Sequence, residues 1–345
     1  MRWGGPRRPL RPRQARTLRR QETDSTNPVG GREPSASESD LACCFYCVCD
    51  SSHFVGLVAL INSLRLCAHG DPVVVLDCGL TIQQRKVVER AATVIPAPAD
   101  LRAPQLGKWV APRELPAPLM VLLDVDMIVV RSLRPVLRLA QTGVAVAFAD
   151  EKPDRFHPGW AEAVGVPQLN KATYVNAGFL VLPETSGKPL LEGVKRLQSR
   201  VDLSRSRGLG KGGWGDPFYL PDQDTWNAVL GTLPEGRVCA LDRDLAPAQP
   251  FTGVRLIDAQ ALRCRYDDGR SPYLLHHWGA EPWLVRTPES VYTTLLLRLV
   301  RGSGLHLRIP KAQLPRWLRG PLARRMDQSI YSRASGLRRR SHNGA

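Results

Sequence analysis

No stretch of this 345-residue sequence approaches the run of about twenty apolar residues that a membrane-crossing helix needs. Its first twenty residues hold eight Arg and no acid, and they lack the apolar segment of a secretory signal. Their prolines also argue against the amphipathic helix of an organelle transit peptide. Acid is nearly absent at the other end too, where Asp327 faces eleven Lys or Arg in residues 301–345. These two ends together outweigh the net charge of +16, so residues 21–300 are close to neutral. A basic groove through the fold is therefore not indicated, and nucleic acid is not the expected partner. Internal repeats are missing, as are Ser-His-Asp and Cys-His nucleophile signatures. The glycine-rich run 204–217 contains Gly-Lys, but no Ser or Thr follows it and no strand leads in. It is read as a mobile flap beside a site rather than a phosphate loop.

A second cysteine pair at metal-binding spacing is also lacking. Cys43, Cys44, Cys47 and Cys49 crowd one segment, while Cys239 and Cys264 stand alone. Zinc needs two such groups. Cysteine otherwise behaves as a small hydrophobe, and LACCFYCVC reads as a buried strand. Free thiols on this scale imply a reducing compartment, so a cytoplasmic location is expected.

What the sequence does have is a strand–helix alternation. Ala42–Cys49 reads as a strand, Asp50–Phe54 as a polar turn and Val55–Cys67 as a helix. Asp50 suits a base or ribose, and Phe54 a stacking partner. Equally, Ser51 or Ser52 suits a helix cap, and Phe54 a core aromatic. Pro72–Asp77 is a second strand, Thr81–Ala92 a helix and Thr93–Pro96 a third strand. Val144–Ala149 is a further strand, and 151–173 a polar loop. Tyr174–Leu182 is a strand interrupted by Asn176-Ala177-Gly178, which fits either close approach to a ligand or a bulge. A helix is expected from Leu190 to Ser199. Alternation of this kind predicts a mostly parallel sheet flanked by helices.

Three Asp-x-Asp pairs occur: Asp124/Asp126, Asp222/Asp224 and Asp242/Asp244. Only the first follows a long apolar run, MVLLDVD. A carboxylate inside such a strand would cost several kcal/mol, by rough estimate, if uncompensated. Both belong at the strand end, where open α/β sheets bind ligands. Two carboxylates facing one hole suit a hard divalent cation. Asp222 and Asp224 open an apolar-periodic helix, where Asp is also an ordinary cap. His276 and His277 follow the apolar stretch Tyr273–Leu275, and a His at a strand end suits a metal.

In their order, these segments resemble glycosyltransferase family 8, the group that includes glycogenin and bacterial lipopolysaccharide galactosyl- and glucosyltransferases. The resemblance runs from about residue 44 to 285. It is carried by Asp50–Phe54, Lys108, Asp124-Val125-Asp126, Asn176-Ala177-Gly178, Asp222-Gln223-Asp224, and His276 with Gly279 and Pro282-Trp283. It implies a GT-A fold, a nucleotide-diphosphate sugar donor such as a UDP-sugar, and retention at the anomeric carbon. It also implies Mn2+ or Mg2+ held by Asp124, Asp126 and His276. By position, Asp50, Ser51 and Phe54 lie at the base and ribose, and Lys108 near the sugar or phosphate. Val125, Asn176, Ala177, Gly178 and Gly279 line the donor pocket. Asp222, Gln223 and Asp224 face the reacting centre and the acceptor, a glycan or a lipid-linked sugar.

The pattern is departed from at Gly279-Ala280-Glu281-Pro282-Trp283. That run is one residue shorter than the family's Gly-x-x-Lys-Pro-Trp and offers Glu281 instead of the lysine. The rival readings are an inverting transferase with Asp222 or Asp224 as general base, and a non-catalytic nucleotide-sugar binder. The expected organisation is a disordered basic arm over 1–40, a GT-A domain over 41–285, and a basic extension over 286–345. Within the last, Tyr292–Val300 reads as an amphipathic helix. Arg338-Arg339-Arg340 suits peripheral contact with anionic lipid.

Overall fold

A computed structural model describes residues 41–279, 281–285 and 289–319. The expected arm 1–40 and the Arg338–Arg340 run lie outside the described residues. Strand β1 (Cys43–Cys49) leads into helix α1 (Phe54–Leu66), followed by β2 (Val73–Asp77), α2 (Ile82–Val88) and β3 (Thr93–Pro96). A 3-10 turn, Pro104–Trp109, runs into α3 (Val110–Glu114). Then come β4 (Leu119–Leu123), β5 (Met127–Val129), α4 (Arg134–Ala140) and β6 (Ala145–Ala149). Next are α5 (Gly159–Val164), β7 (Val175–Pro183), α6 (Glu184–Gln198), α7 (Pro221–Leu230) and β8 (Val238–Leu241). The short strands β9 (Arg255–Asp258), β10 (Arg263–Arg265) and β11 (Leu274–His276) precede α8 (Val291–Arg301) and α9 (Arg316–Arg319).

Seven strands form the central sheet in the order β3-β2-β1-β4-β7-β6-β8. Every neighbouring pair is parallel except the two made by β7, which runs antiparallel to β4 and β6. The strand order reverses direction between β1 and β4, the kind of crevice where ligands bind in open α/β sheets. Because β7 runs the other way, its first residues, Asn176–Gly178, lie at the same sheet edge as the last residues of β4. The backbone N–H of Asp124 donates to the Gly178 carbonyl at 2.8 Å.

Both sheet faces are covered, which is why β4 reads as unbroken apolar sequence. Along β1 the side chains alternate: Cys43, Phe45, Cys47 and Cys49 enter one core, Cys44 and Tyr46 the other. The crowded cysteines are thereby split between two faces, and all eight cysteines of the chain are free thiols. On the first face lie α1, α4 and α8; on the second, α6 and α7, with Trp226 fully buried.

Residues 289–319 pack into the first of these cores. Asn62 of α1 donates to the carbonyls of Leu299 and Leu307 and accepts from the Leu307 N–H, at 2.8, 2.9 and 2.8 Å. Trp317 donates to the Trp283 carbonyl. The helix expected over Tyr292–Val300 is present, started by a Ser290/Thr293 capping box.

Three differences from the sequence reading have local causes. The expected loop 151–173 contains α5, nucleated by buried Trp160 and stopped by Gly165 in the left-handed region at φ 78. Helix α6 starts at Glu184 rather than Leu190 and runs through Pro189, with Gly187 packed closely on Met120. Strands β5 and β11 pair antiparallel, His276 opposite Met127. Three residues each are too few to show alternation in sequence.

Candidate active site

Four stretches converge at the C-terminal edge of β4. Asp124 ends the strand, and the chain turns so that Met127 begins β5. The pairing of β5 with β11 then carries His276 to the same spot. Ligand atoms of Asp124, Asp126 and His276 lie within 4.8 Å of one another. His276 Nε2 is 3.3 Å from Asp126 Oδ1 and 3.9 Å from Asp124 Oδ2. Asp126 Oδ1 is buried and receives no hydrogen bond among the described residues. Such an atom is costly unless something else satisfies it. Gly178 completes the cradle: a Cβ there would lie 2.8 Å from His276 Cε1 and 2.6 Å from Met127 Cε. Hard oxygen donors with one imidazole, an orphaned carboxylate oxygen and a glycine that clears the ring together fit a divalent cation.

Lys108 joins this cluster to the others. It comes from the 3-10 turn and is buried, with its Nζ 2.7 Å from Asp124 Oδ1 and 3.1 Å from Asp222 Oδ2. It also donates to the Ala177 carbonyl at 3.1 Å. One ammonium thus touches three of the segments singled out in the sequence. Gly107 lets the turn sit close, since a Cβ there would meet Leu76 Cδ2 at 2.7 Å.

The electrostatics follow from this arrangement. Burial opposes the charged form of Lys108, but Asp124 and Asp222 outweigh it and hold its pKa above the usual value. Burial pushes the Asp124 carboxyl up, Lys108 pulls it down, and the repulsion of Asp126 helps to leave it raised. Asp126 is opposed by burial too, yet the neighbouring His276 holds it below the usual carboxylate value. His276 in turn is raised, burial being outweighed by Asp126. Two carboxylates crowding one space repel each other, and a divalent ion relieves that repulsion.

Gln223 is pinned rather than free. Its Oε1 accepts from the Ala177 N–H at 3.3 Å, and its Nε2 donates to Asp150 Oδ2 at 3.1 Å. Asn176 Nδ2 reaches the same Asp150 oxygen at 3.4 Å. Ala177 to Phe179 bulge out of the β6–β7 pairing, whose register jumps from Ala147↔Leu180 to Phe148↔Asn176. Of the two meanings given to this stretch, the bulge is what the strand register shows. Asp224 is not brought to the Lys108 cluster by any contact. It is fully buried, accepts both arms of Arg155 at 2.7 and 2.8 Å, the Tyr174 hydroxyl at 2.6 Å and the Leu220 N–H at 2.8 Å.

In the first turn the expected serine cap is replaced by a turn built on Asp50. Neither Ser51 nor Ser52 caps α1. Instead Asp50 Oδ1 accepts from the N–H and hydroxyl of Ser52 and from the N–H of His53, and lies 2.7 Å from His53 Nδ1. Ser51 is exposed. Phe54 is 1 % exposed and belongs to the core. Val125 is buried, and its carbonyl approaches α1 at Gly56, where a Cβ would lie 2.5 Å from it and 2.5 Å from the Trp283 ring. Gly279 has φ 104, and the Trp283 indole donates to the Ser52 carbonyl at 2.8 Å.

Sequence reasoning missed His53, Asp150, Arg155 and Tyr292. His53 sits between two acids, its Nε2 3.1 Å from Glu281. Glu281, which stands where a lysine was expected, is thus paired with an imidazole. The available signal for Asp150 was its place at the end of VAVAFA. Arg155 and Tyr292 carried none.

No protein-family model matches the chain, and no curated protein matches it in sequence. Solved structures are similar. The galactosyltransferase LgtC in complex with donor and acceptor sugar analogues is 18 % identical, with TM-score 0.49, over 79 % of this chain and 100 % of that one. The apo WbbM bifunctional glycosyltransferase is 16 % identical with TM-score 0.50, over 77 % of this chain and 50 % of that one. The glycosyltransferase GlyE of Streptococcus pneumoniae is 14 % identical with TM-score 0.44, over 74 % of this chain and 60 % of that one. The chain thus spans half of WbbM and just under two thirds of GlyE. At such identities the likeness is one of fold. This chain has a glycosyltransferase-like fold of the GT-A kind, with Asp124-Val125-Asp126 at the end of its central strand.

Proposed function

We propose that this chain transfers a sugar from a nucleotide-diphosphate sugar, a UDP-sugar, to an acceptor hydroxyl, with a divalent cation held by Asp124, Asp126 and His276. The observation that carries the reading is the union of two features: three metal-type ligand atoms within 4.8 Å, and Lys108 bridging Asp124 to Asp222. Mn2+ or Mg2+ at these residues supplies Lewis-acid stabilisation of the leaving diphosphate. The rest of the work falls to the chain. Lys108 holds Asp124 in place and sets the charge beside it. Asn176, Ala177 and Gly178 form the wall of the sugar pocket, and their bulge sets its depth. Gln223 is aimed by Asp150 and the Ala177 N–H, so its amide is preorganised at the reacting centre.

Retention is favoured over inversion by the state of the two helix carboxylates. An inverting reaction needs one of them as general base beside the acceptor. Asp224 is buried under Arg155 and Tyr174, and Asp222 is tied to Lys108. Asp224 is better suited to anchor the start of α7, and so to hold Asp222 and Gln223 in position.

The test is a thermal-shift panel of nucleotide sugars with and without Mn2+, followed by a hydrolysis and transfer assay on the best donor. A UDP-sugar is expected to raise the melting temperature only with metal present. The absence of both a shift and turnover across the panel would defeat the reading.

A further inference from the structure

The carbonyl of Asp126 accepts two hydrogen bonds. One comes from the His277 N–H at 3.0 Å, one residue past the strand that ends in His276. The other comes from the Tyr292 hydroxyl at 2.9 Å. Tyr292 lies on α8, in the segment beyond the apparent end of the site motifs. It has no exposed surface. Its ring is stacked on Phe251 at 5.8 Å and 7° and packs on His277 at 4.9 Å. Phe251 also lies 6.2 Å from His277. The hydroxyl is therefore fixed in place by aromatic packing on two sides.

From this geometry we infer that Tyr292 is a positioning residue for the metal site, and that α8 belongs to the functional unit rather than to an appendage. Pinning the Asp126 carbonyl fixes the peptide after the Asp-x-Asp. That peptide sets where the Asp126 carboxylate points, and Asp126 Oδ1 is the buried oxygen left without a donor. The same carbonyl ties the His276–His277 backbone to this peptide. Two ligand-bearing segments thus share one anchor, and Tyr292 holds the anchor from behind. Groups that hold ligands in orientation typically matter about ten- to a hundredfold in metal affinity.

The inference rests on the proposed cation site, and its test separates the two. Mn2+ binding to the full chain is titrated by electron paramagnetic resonance, with no donor and no turnover required. Tyr292→Phe keeps the stack and removes the hydroxyl. It is expected to weaken Mn2+ about tenfold while the melting temperature in chelator stays near that of the parent. Phe251→Leu loosens the stack but leaves the hydroxyl, and is expected to weaken Mn2+ less. Equal Mn2+ affinity in the parent and Tyr292→Phe overturns the role of Tyr292 and leaves the cation site standing. Equal losses in the two variants assign the effect to packing and overturn it as well. A parent chain that binds no Mn2+ overturns both readings.

Discussion

Asp124/Asp126 and Asp242/Asp244 are the same three-residue pattern in two different places. The first pair lies where β4 ends among Lys108, His276 and the Asn176–Gly178 bulge, with Asp126 Oδ1 buried. The second starts a short 3-10 turn, where Asp242 caps Asp244 and both carboxylates meet the side chain of half-exposed Arg270. In water such pairs interact weakly. At the edge of β4 the charges are packed against one another, so removing Lys108 or His276 leaves carboxylates facing each other. The pattern itself therefore says little; its chemistry depends on what the strand end is buried against.

The largest contrast should appear in activity. Asp126→Ala is expected to lower transfer by about a hundred- to a thousandfold, the scale of losing a preorganised electrostatic stabiliser. Asp242→Ala is expected to stay within about twofold of the parent, since exposed substitutions away from the site have small effects. Initial-rate assays at saturating donor would show it. Comparable losses in the two variants would erase the distinction.

Stability should show a smaller version of the same contrast. Lys108→Met leaves Asp124 and Asp222 facing each other without their cation. Breaking a buried pair in this way costs about 3–5 kcal/mol. Arg270→Met is expected to leave the unfolding midpoint unchanged. Urea unfolding of both variants in chelator is the measurement, and equal midpoints would show that Lys108 is not the keystone described here.

The smallest effect concerns two histidines, one open and one enclosed. For His53, burial opposes the charge, but Asp50 and Glu281 outweigh it and raise its pKa above the ordinary 6.5. Its contribution to stability is therefore complete below pH 6.5 and is lost as pH rises through the folded value. His69 is the reverse. Burial, with Arg134, lowers it to about 4, and its Nε2 accepts from the Leu133 N–H at 2.9 Å. It weakens the fold as pH falls from 6.5 toward 4. His53→Asn is expected to lower the melting temperature by about 1–2 °C at pH 5.5 and not at pH 9, because a part-exposed pair contributes little. A loss independent of pH would point to packing against Trp283 instead of the ion pairs.

Much of this was visible in the residues. The apolar run into Asp124 marked a central strand, because a strand covered on both faces must be apolar throughout. Lys108, Asn176–Gly178, Asp222–Gln223 and His276 were picked out by order and spacing, and the structure brings Lys108, Asp124, Ala177 and Asp222 into contact. Asp224 was grouped with them because it is two residues from Asp222. On a helix that spacing turns it to a different side, toward Arg155 and Tyr174. Phe54 was offered two roles, and its burial gives it the core one.

Local sequence, then, determined which strand is central, which polar residues interrupt it, and the alternation that builds a mostly parallel sheet. These are properties of short periods and single residues, and they can be read without a fold. Tertiary structure alone decided that His276 reaches Asp126 through the β5–β11 pairing, that Asp224 is taken by Arg155, that Glu281 is met by His53, and that Tyr292 of α8 grips the Asp126 carbonyl. Each joins residues distant in the chain. No local period encodes such a contact; it exists only once packing has chosen which surfaces meet.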